Sequence, residues 1–281
     1  MPEYKKIGYL TSSFKLFHLK DQQMKQFHYH YHDFHKILIL LQGNLSYCIE
    51  GRTYDLSPGD IVLVHAGEVH RPILHSGSLY ERIIIYVSPA FLNEYQEENN
   101  NLGLCFAQAH EMQSHVLRTR SGKIGALASA IRSLDQSSKE IGYASELHHK
   151  LLFLEFLIHL NRAALDEQLT FVSTTSSDSK IPAVLDYLNE HLTEDLSVDD
   201  IAGHFYVSRY YLMHSFKEQT GYTIGGYLSA KRLLLAKELI SSGLPMTEVC
   251  YLCGFRNYST FSRAYKKSFG ESPRDYRQSL S

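Results

Sequence analysis

An α+β protein in two halves, antiparallel β first and all-helical last, is what the sequence predicts. Three observations predict it. Short β-rich runs broken by turn signals fill residues 7 to 90. The spacing of apolar residues becomes helical from residue 121. After a Ser/Thr-rich stretch at 172 to 180, every segment from Ile181 onward reads as helix.

The 281 residues are enough for two domains with separate cores. In the first half, "KILILLQGNLSYCIEGRTYDLSPGDIVLVHAGEVH" is interrupted at Gln42-Gly43, Glu50-Gly51 and Pro58-Gly59-Asp60. Turn signals this closely spaced predict an antiparallel sandwich or barrel. "YERIIIYVS" (80 to 88) adds a strand, while residues 91 to 120 show no clear period. "GKIGALASAIRSLDQ" is one helix candidate, and "ASELHHKLLFLEFLIHLNRAAL" is a stronger one. In the latter, Leu147, Leu151, Leu154 and Ile158 form a stripe at spacings of three and four. Leu152, Phe153, Phe156 and Leu157 make a second apolar side. One side can pack on the β half while the stripe meets a second copy of the chain; burial in a single core is equally allowed. The expected organisation is a β domain over 1–120, a helical dimerisation segment over 121–171, a linker over 172–180 and a helical domain over 181–281.

Several classes are excluded. The longest aliphatic run, Ile37 to Leu41, is too short to span a bilayer. The N-terminus lacks the apolar core of a signal peptide. Four scattered cysteines do not make a disulfide framework. A cytoplasmic protein with no membrane partner is expected.

Net charge is −2, but residues 207 to 281 carry 11 basic and 5 acidic residues, or +6, so the remainder carries −8. Such asymmetry marks a candidate polyanion-binding end; a solvated helical surface with no partner is the alternative on charge alone. That end contains a diverged repeat. "DDIAGHFYVSRYYLMHSFKEQTG" (199 to 221) aligns with "TEVCYLCGFRNYSTFSRAYKKSFG" (247 to 270). Ile201, Ala202 and Val207 match Val249, Cys250 and Phe255; Leu212, Phe216, Lys217 and Gly221 match Phe261, Tyr265, Lys266 and Gly270 after one added residue near the turn. Each copy reads as helix, tight turn, helix. Gly254 suits a left-handed turn in the second copy, where the first has the less comfortable Tyr206. Cys250 and Cys253 fall where small buried groups are wanted, so their C-x-x-C spacing is read as core. Between the copies, Ile224 to Ser242 predicts a helix of roughly 28 Å. A rod of that length can hold two recognition helices about one DNA turn apart, on the order of 34 Å.

Residues 181 to 281 resemble the DNA-binding domain of the AraC/XylS family of transcription regulators. "GFRNYSTFSRAYKKSFGESPRDYR" (254 to 277) is similar to that family's signature, and "YLSAKRLLLAKELI" to its linker helix. The resemblance implies that Tyr210, Met213 and His214, with Tyr258, Ser259, Ser262 and Arg263, face base edges. Arg209, Lys217, Arg256, Asn257 and Lys266 are better placed for phosphates. At His214 the family often has arginine, so the second copy, through Arg263, is expected to carry more of the specificity.

The segment 30 to 70 resembles the cupin-like sensor domain common at the N-terminus of this family, which implies a small β-barrel. His30 and His32 stand at the first two positions of the metal-cupin motif. Lys36 replaces its glutamate, with Gly43 following at the usual spacing; His70 takes the remaining histidine position and His65 stands where proline is usual. A facial metal site of His30, His32 and His70 would place the Lys36 ammonium beside the cation. An anionic or hydroxyl-rich effector held by His30, His32, Lys36 and His70 suits the charge better, and histidines with a purely structural role are the third reading. His28 and His35 alternate away from part of this set by strand periodicity and are not included in it. The expectation is an effector-responsive regulator, more often an activator, that binds promoter DNA as a homodimer and works with RNA polymerase. No catalytic residue and no resident cofactor are expected. The alternative from another class is a metal-dependent cupin enzyme with a helical appendage.

Overall fold

The computed structural model describes residues 10, 12–22, 27–75, 79–98, 100–120, 125–174 and 180–280. The starting residues of the expected 121–171 segment and most of the expected linker lie outside them. Two compact units emerge. Among the described residues, one draws on those from 10 to 27 and from 32 to 174, the other on 28–31 and those from 180 to 280.

The first unit is built on β1 (Phe14–Asp21), β2 (His35–Gln42), β3 (Leu45–Ile49), β4 (Arg52–Leu56), β5 (Ile61–Val64), β6 (His70–Leu74), β7 (Tyr80–Val87), β8 (Val116–Thr119) and β9 (Leu169–Phe171). The expected barrel takes the form of two sheets with every strand pair antiparallel. One has the order β1-β7-β2-β5-β8-β9, the other β4-β3-β6. The larger sheet is apolar on both faces, which is why β2, β5 and β7 read as unbroken hydrophobic runs rather than alternating ones. Strand periodicity sends Ile37, Ile39, Ile61, Leu63, Ile83 and Ile85 to one face. There they meet α1 (Pro89–Asn93), α2 (Leu104–Glu111), α3 (Gly125–Ser137) and α4 (Ser145–Leu165), with Phe153, Phe156 and Leu160 of α4 in the same core. Leu38, Leu40, Val62, Val64 and Ile84 point the other way and pack with Tyr47 and Tyr54 of the small sheet. Lys36 shares the parity of Leu38, so the pleat aims it into this second core.

The second unit is helical: α5 (Ile181–Glu190), α6 (Val198–His204), α7 (Arg209–Thr220), α8 (Ile224–Ser241), α9 (Met246–Leu252), α10 (Tyr258–Phe269) and α11 (Pro273–Leu280). Side-chain caps start five of them. Ser197, Ser208, Thr223, Asn257 and Ser272 accept from the backbone N–H of Asp200, Tyr211, Gly226, Thr260 and Asp275. Gly221 and Gly270 close α7 and α10 in the left-handed conformation. Residues 28–31, expected in the sensing half, group with this unit. The Tyr222 hydroxyl donates to the Tyr29 carbonyl at 3.0 Å.

Candidate nucleic-acid interface and ligand pocket

The two helix-turn-helix copies share one turn geometry. Val207 N–H donates to the Ala202 carbonyl at 3.0 Å, and Phe255 N–H donates to the Cys250 carbonyl at 3.0 Å. Tyr206 and Gly254 hold the same left-handed position, at φ 52 and 79. The Tyr206 side chain is 92% exposed, so nothing in the fold uses the ring that makes this backbone uncomfortable. Cys250 and Cys253 are buried free thiols, and burial raises both. Both second helices have 12 residues and start at a cap, Ser208 or Asn257. The added residue of the second copy is therefore Arg256, which stands between the turn and the cap.

Leu212 and Phe216 of α7, and Phe261 and Tyr265 of α10, are fully buried and fix each helix to its core. The faces left outward carry the expected base-reading set. Tyr210, Met213 and His214 are exposed, and the Tyr210 and His214 rings stack at 5.9 Å. Ser259 and Arg263 are exposed, Ser262 is half-buried, and Arg263 Nε donates to the Ser259 carbonyl at 3.2 Å. Tyr258 is half-buried against Phe261, so it presents less of itself than its position on the helix suggests. Asn257 is engaged as the cap of α10, with its Oδ1 accepting from Thr260 N–H at 2.8 Å. Lys217 and Lys266 are exposed in the last turns of α7 and α10. Arg209 and Arg256 are exposed but paired: Arg209 Nη1 lies 2.6 Å from Asp199 Oδ2, and Arg256 pairs with Asp195. The sequence reading missed these two carboxylates. A groove of 410 Å³ opens here, lined by Asp195, Arg232, Gly254, Arg256, Asn257 and Thr260 among others.

In the β unit, Lys36 is 5% exposed. Its Nζ donates to the Tyr47 hydroxyl at 2.9 Å and contacts His70 Nε2 at 3.4 Å. His70 Nδ1 faces the Glu68 carbonyl at 2.9 Å and donates to it, which leaves Nε2 as the acceptor for Lys36. His32 stacks on Phe34 with centroids 4.6 Å apart and lies 4.9 Å from the His70 ring. Arg82 is paired with Asp21 at 2.5 Å. Among the described residues, Lys36 has no carboxylate partner. Burial, then the nearby Arg82 charge, lowers its pKa to about 7. His32, Lys36 and His70 are thus brought together within the unit. His30 is buried with its Nδ1 against the His28 carbonyl, in the segment grouped with the helical unit. His35 alternates away, as expected, to the Phe106 side, where burial and His65 lower its pKa to about 3.

On α4, Leu147 and Leu151 are 58% and 55% exposed, and Ile158 is also exposed. Leu154 is half-buried against the core.

Paired helix-turn-helix copies in one unit and a buried Lys36–His70 cluster in a separate β unit define a class, the DNA-binding transcription regulators with a ligand-binding domain. A helix-turn-helix domain model matches residues 201–279, and a model of the AraC-like ligand binding domain matches residues 16–152. The chain belongs to the AraC family of transcription regulators. It is similar to the HTH-type transcriptional activator RhaS of Escherichia coli (strain SMS-3-5 / SECEC), 28% identical over 256 residues, 89% of this chain and 87% of that one. RhaS of Citrobacter koseri matches at 28% over 251 residues, with 89% and 87% covered. Among solved structures, ToxT from Vibrio cholerae is 15% identical and covers 96% of this chain and 100% of its own, with a TM-score of 0.39. The DNA-binding domain of AdpA, in complex with a target DNA, is 30% identical over 34% of this chain and 88% of its own, with a TM-score of 0.34.

Proposed function

We propose that the protein is a transcription activator controlled by a small molecule. Residues 1–120 sense it, the 121–171 segment dimerises, 172–180 is the linker, and 181–281 binds promoter DNA. The observation that carries the reading is the pair of capped recognition helices, each with a polar, exposed face and an apolar face locked into a core. Base edges are read by Tyr210, Met213, His214, Ser259, Ser262 and Arg263, with Tyr258 contributing its exposed edge. Backbone phosphates are met by Arg209, Lys217, Arg256 and Lys266, and by the amide nitrogen of Asn257. A gel shift with the DNA upstream of the protein's own gene tests this. Arg263→Ala is expected to weaken specific binding by about 1–3 kcal/mol, because arginine reads guanine bidentately. Unchanged specific affinity contradicts the groove assignment.

The effector is an anionic or hydroxyl-rich molecule seated on Lys36, His32 and His70, with His30 as a further partner. A buried amine with neutral partners is costly when charged, and an anionic ligand supplies the missing counter-charge. This reading involves no resident metal and no catalysis. Elemental analysis of the purified protein separates it from the alternative of a metal-dependent cupin enzyme holding an ion on His30, His32 and His70. Near-stoichiometric iron, manganese or zinc favours the alternative.

The exposed stripe of Leu147, Leu151 and Ile158, with the half-buried Leu154 beside it, is the homodimer contact. Leu147→Glu with Leu151→Glu is expected to raise the dimer dissociation constant about tenfold or more, read by sedimentation, with the melting temperature nearly unchanged. An unaltered sedimentation profile contradicts the contact. RNA polymerase is the expected partner at the promoter, and the cytoplasm the expected location. Among the described residues no helix is long and apolar enough to cross a membrane.

A further inference from the structure

We propose that Asp195 and Asp199 are built-in competitors of the DNA backbone: they hold the two arginines that flank the recognition helices and lower sequence-independent affinity. The inference rests on the DNA-binding reading above.

Both pairs come from one short segment. Asp195 lies in the turn before α6 and Asp199 in its first turn. Asp195 holds Arg256, the residue added to the second copy's turn, while Asp199 holds Arg209, the first residue of α7. One acidic segment therefore reaches both reading units. By contrast, Lys217, at the other end of α7, has no carboxylate within ion-pair distance among the described residues, and Lys266, at the other end of α10, has only the charge of Asp275 nearby.

The segment is braced rather than loose. Arg232 of α8 donates from Nε to the Leu192 carbonyl at 2.8 Å and from Nη2 to the Glu194 carbonyl at 2.6 Å. Gly254 sits so close that a Cβ there would lie 2.7 Å from the Thr193 carbonyl oxygen. Ser197 caps α6 and also donates to Asp200 at 2.5 Å. The backbone that carries Asp195 and Asp199 is thus fixed beside the arginines, while the four side chains of the two pairs stay more than half exposed. A phosphate approaching Arg209 or Arg256 must displace a carboxylate or share the guanidinium with it, and a retained carboxylate repels the phosphate. The penalty falls on every DNA sequence alike. Only a site that also satisfies the base-reading side chains rises above it, so occupancy of random DNA is suppressed.

The test uses the full-length protein and a random-sequence 30-base-pair duplex, with affinity measured across a salt series. Asp195→Asn and Asp199→Asn are each expected to bind about two- to fivefold tighter than wild type, the scale of one exposed ion pair. The slope of log affinity against log salt is expected to steepen by about 0.9 per carboxylate removed. In an Arg256→Ala background, Asp195→Asn is expected to lose that gain, because its effect runs through Arg256. Equal or weaker binding by both variants, with wild type binding normally, overturns the inference and leaves the DNA reading intact. Failure of wild type and variants alike to bind any duplex removes the DNA reading, and this inference with it.

Discussion

Gly254→Ala is expected to destabilise the helical unit by about 2–5 kcal/mol. Two independent penalties add. Gly254 has φ 79, where a Cβ costs about 1–2 kcal/mol. The new methyl also meets Thr193, with its carbonyl oxygen at 2.7 Å and its Cα at 2.9 Å, both backbone atoms that cannot rotate away. Overpacking of this kind costs about 1–3 kcal/mol. The same position in the first copy already carries Tyr206, whose side chain projects into open space. Tyr206→Ala is therefore the control, and it is expected to change stability by less than about 1 kcal/mol. Denaturant unfolding of the two variants checks the contrast. A Gly254→Ala variant as stable as Tyr206→Ala contradicts the placement of this turn against residue 193.

Lys36→Met is expected to stabilise the protein while abolishing its response to effector. The amine of Lys36 is buried with its pKa lowered to about 7 from the ordinary 10.5. Between those values the unfolded chain binds the extra proton and the folded one does not. Stability therefore rises with pH from about 7 upward, by at most about 1.4 kcal/mol per pH unit. Below pH 7 the folded state must hold a buried ammonium, and the full penalty applies. Methionine has similar volume and no charge, so the gain is expected to be about 1–3 kcal/mol at pH 6 and to shrink by pH 9. Melting curves of wild type and variant at pH 6, 7, 8 and 9 measure the difference. A constant gap across that range contradicts a titrating Lys36. An anionic effector would restore the charge on this lysine, so its binding takes up a proton and weakens as pH rises from 7 to 9.

The helical half was the more legible of the two in sequence. Its repeat is local: small residue, turn residue, cap and two apolar anchors recur at nearly fixed offsets, and each requirement acts over a single turn of chain. The alternation that separates Lys36 from His35 was legible for the same reason. What escaped is long-range. Strand β8 has four residues and β9 three, and both owe their existence to pairing, β8 with β5 and β9 with β8. Nothing within residues 91 to 120 announces β8, or helix α2, which is anchored by Asn161 of α4 accepting from Cys105 N–H at 3.0 Å. The carboxylate partners of Arg209 and Arg256 lie 10 and 61 positions away, at spacings no periodicity links. Grouping of residues 28–31 with the helical unit was equally invisible, since it depends on Tyr222 meeting Tyr29 across 193 positions.

The central claim is that one chain reads two successive major grooves, with α7 and α10 held apart by the 18 residues of α8. Hydroxyl-radical footprinting on the promoter fragment that the protein shifts is the most direct measurement. Two protected patches about 10 base pairs apart on one face of the duplex are expected per protomer, with the patch under α10 lost in Arg263→Ala. A single patch per protomer, or two on opposite faces, contradicts the account.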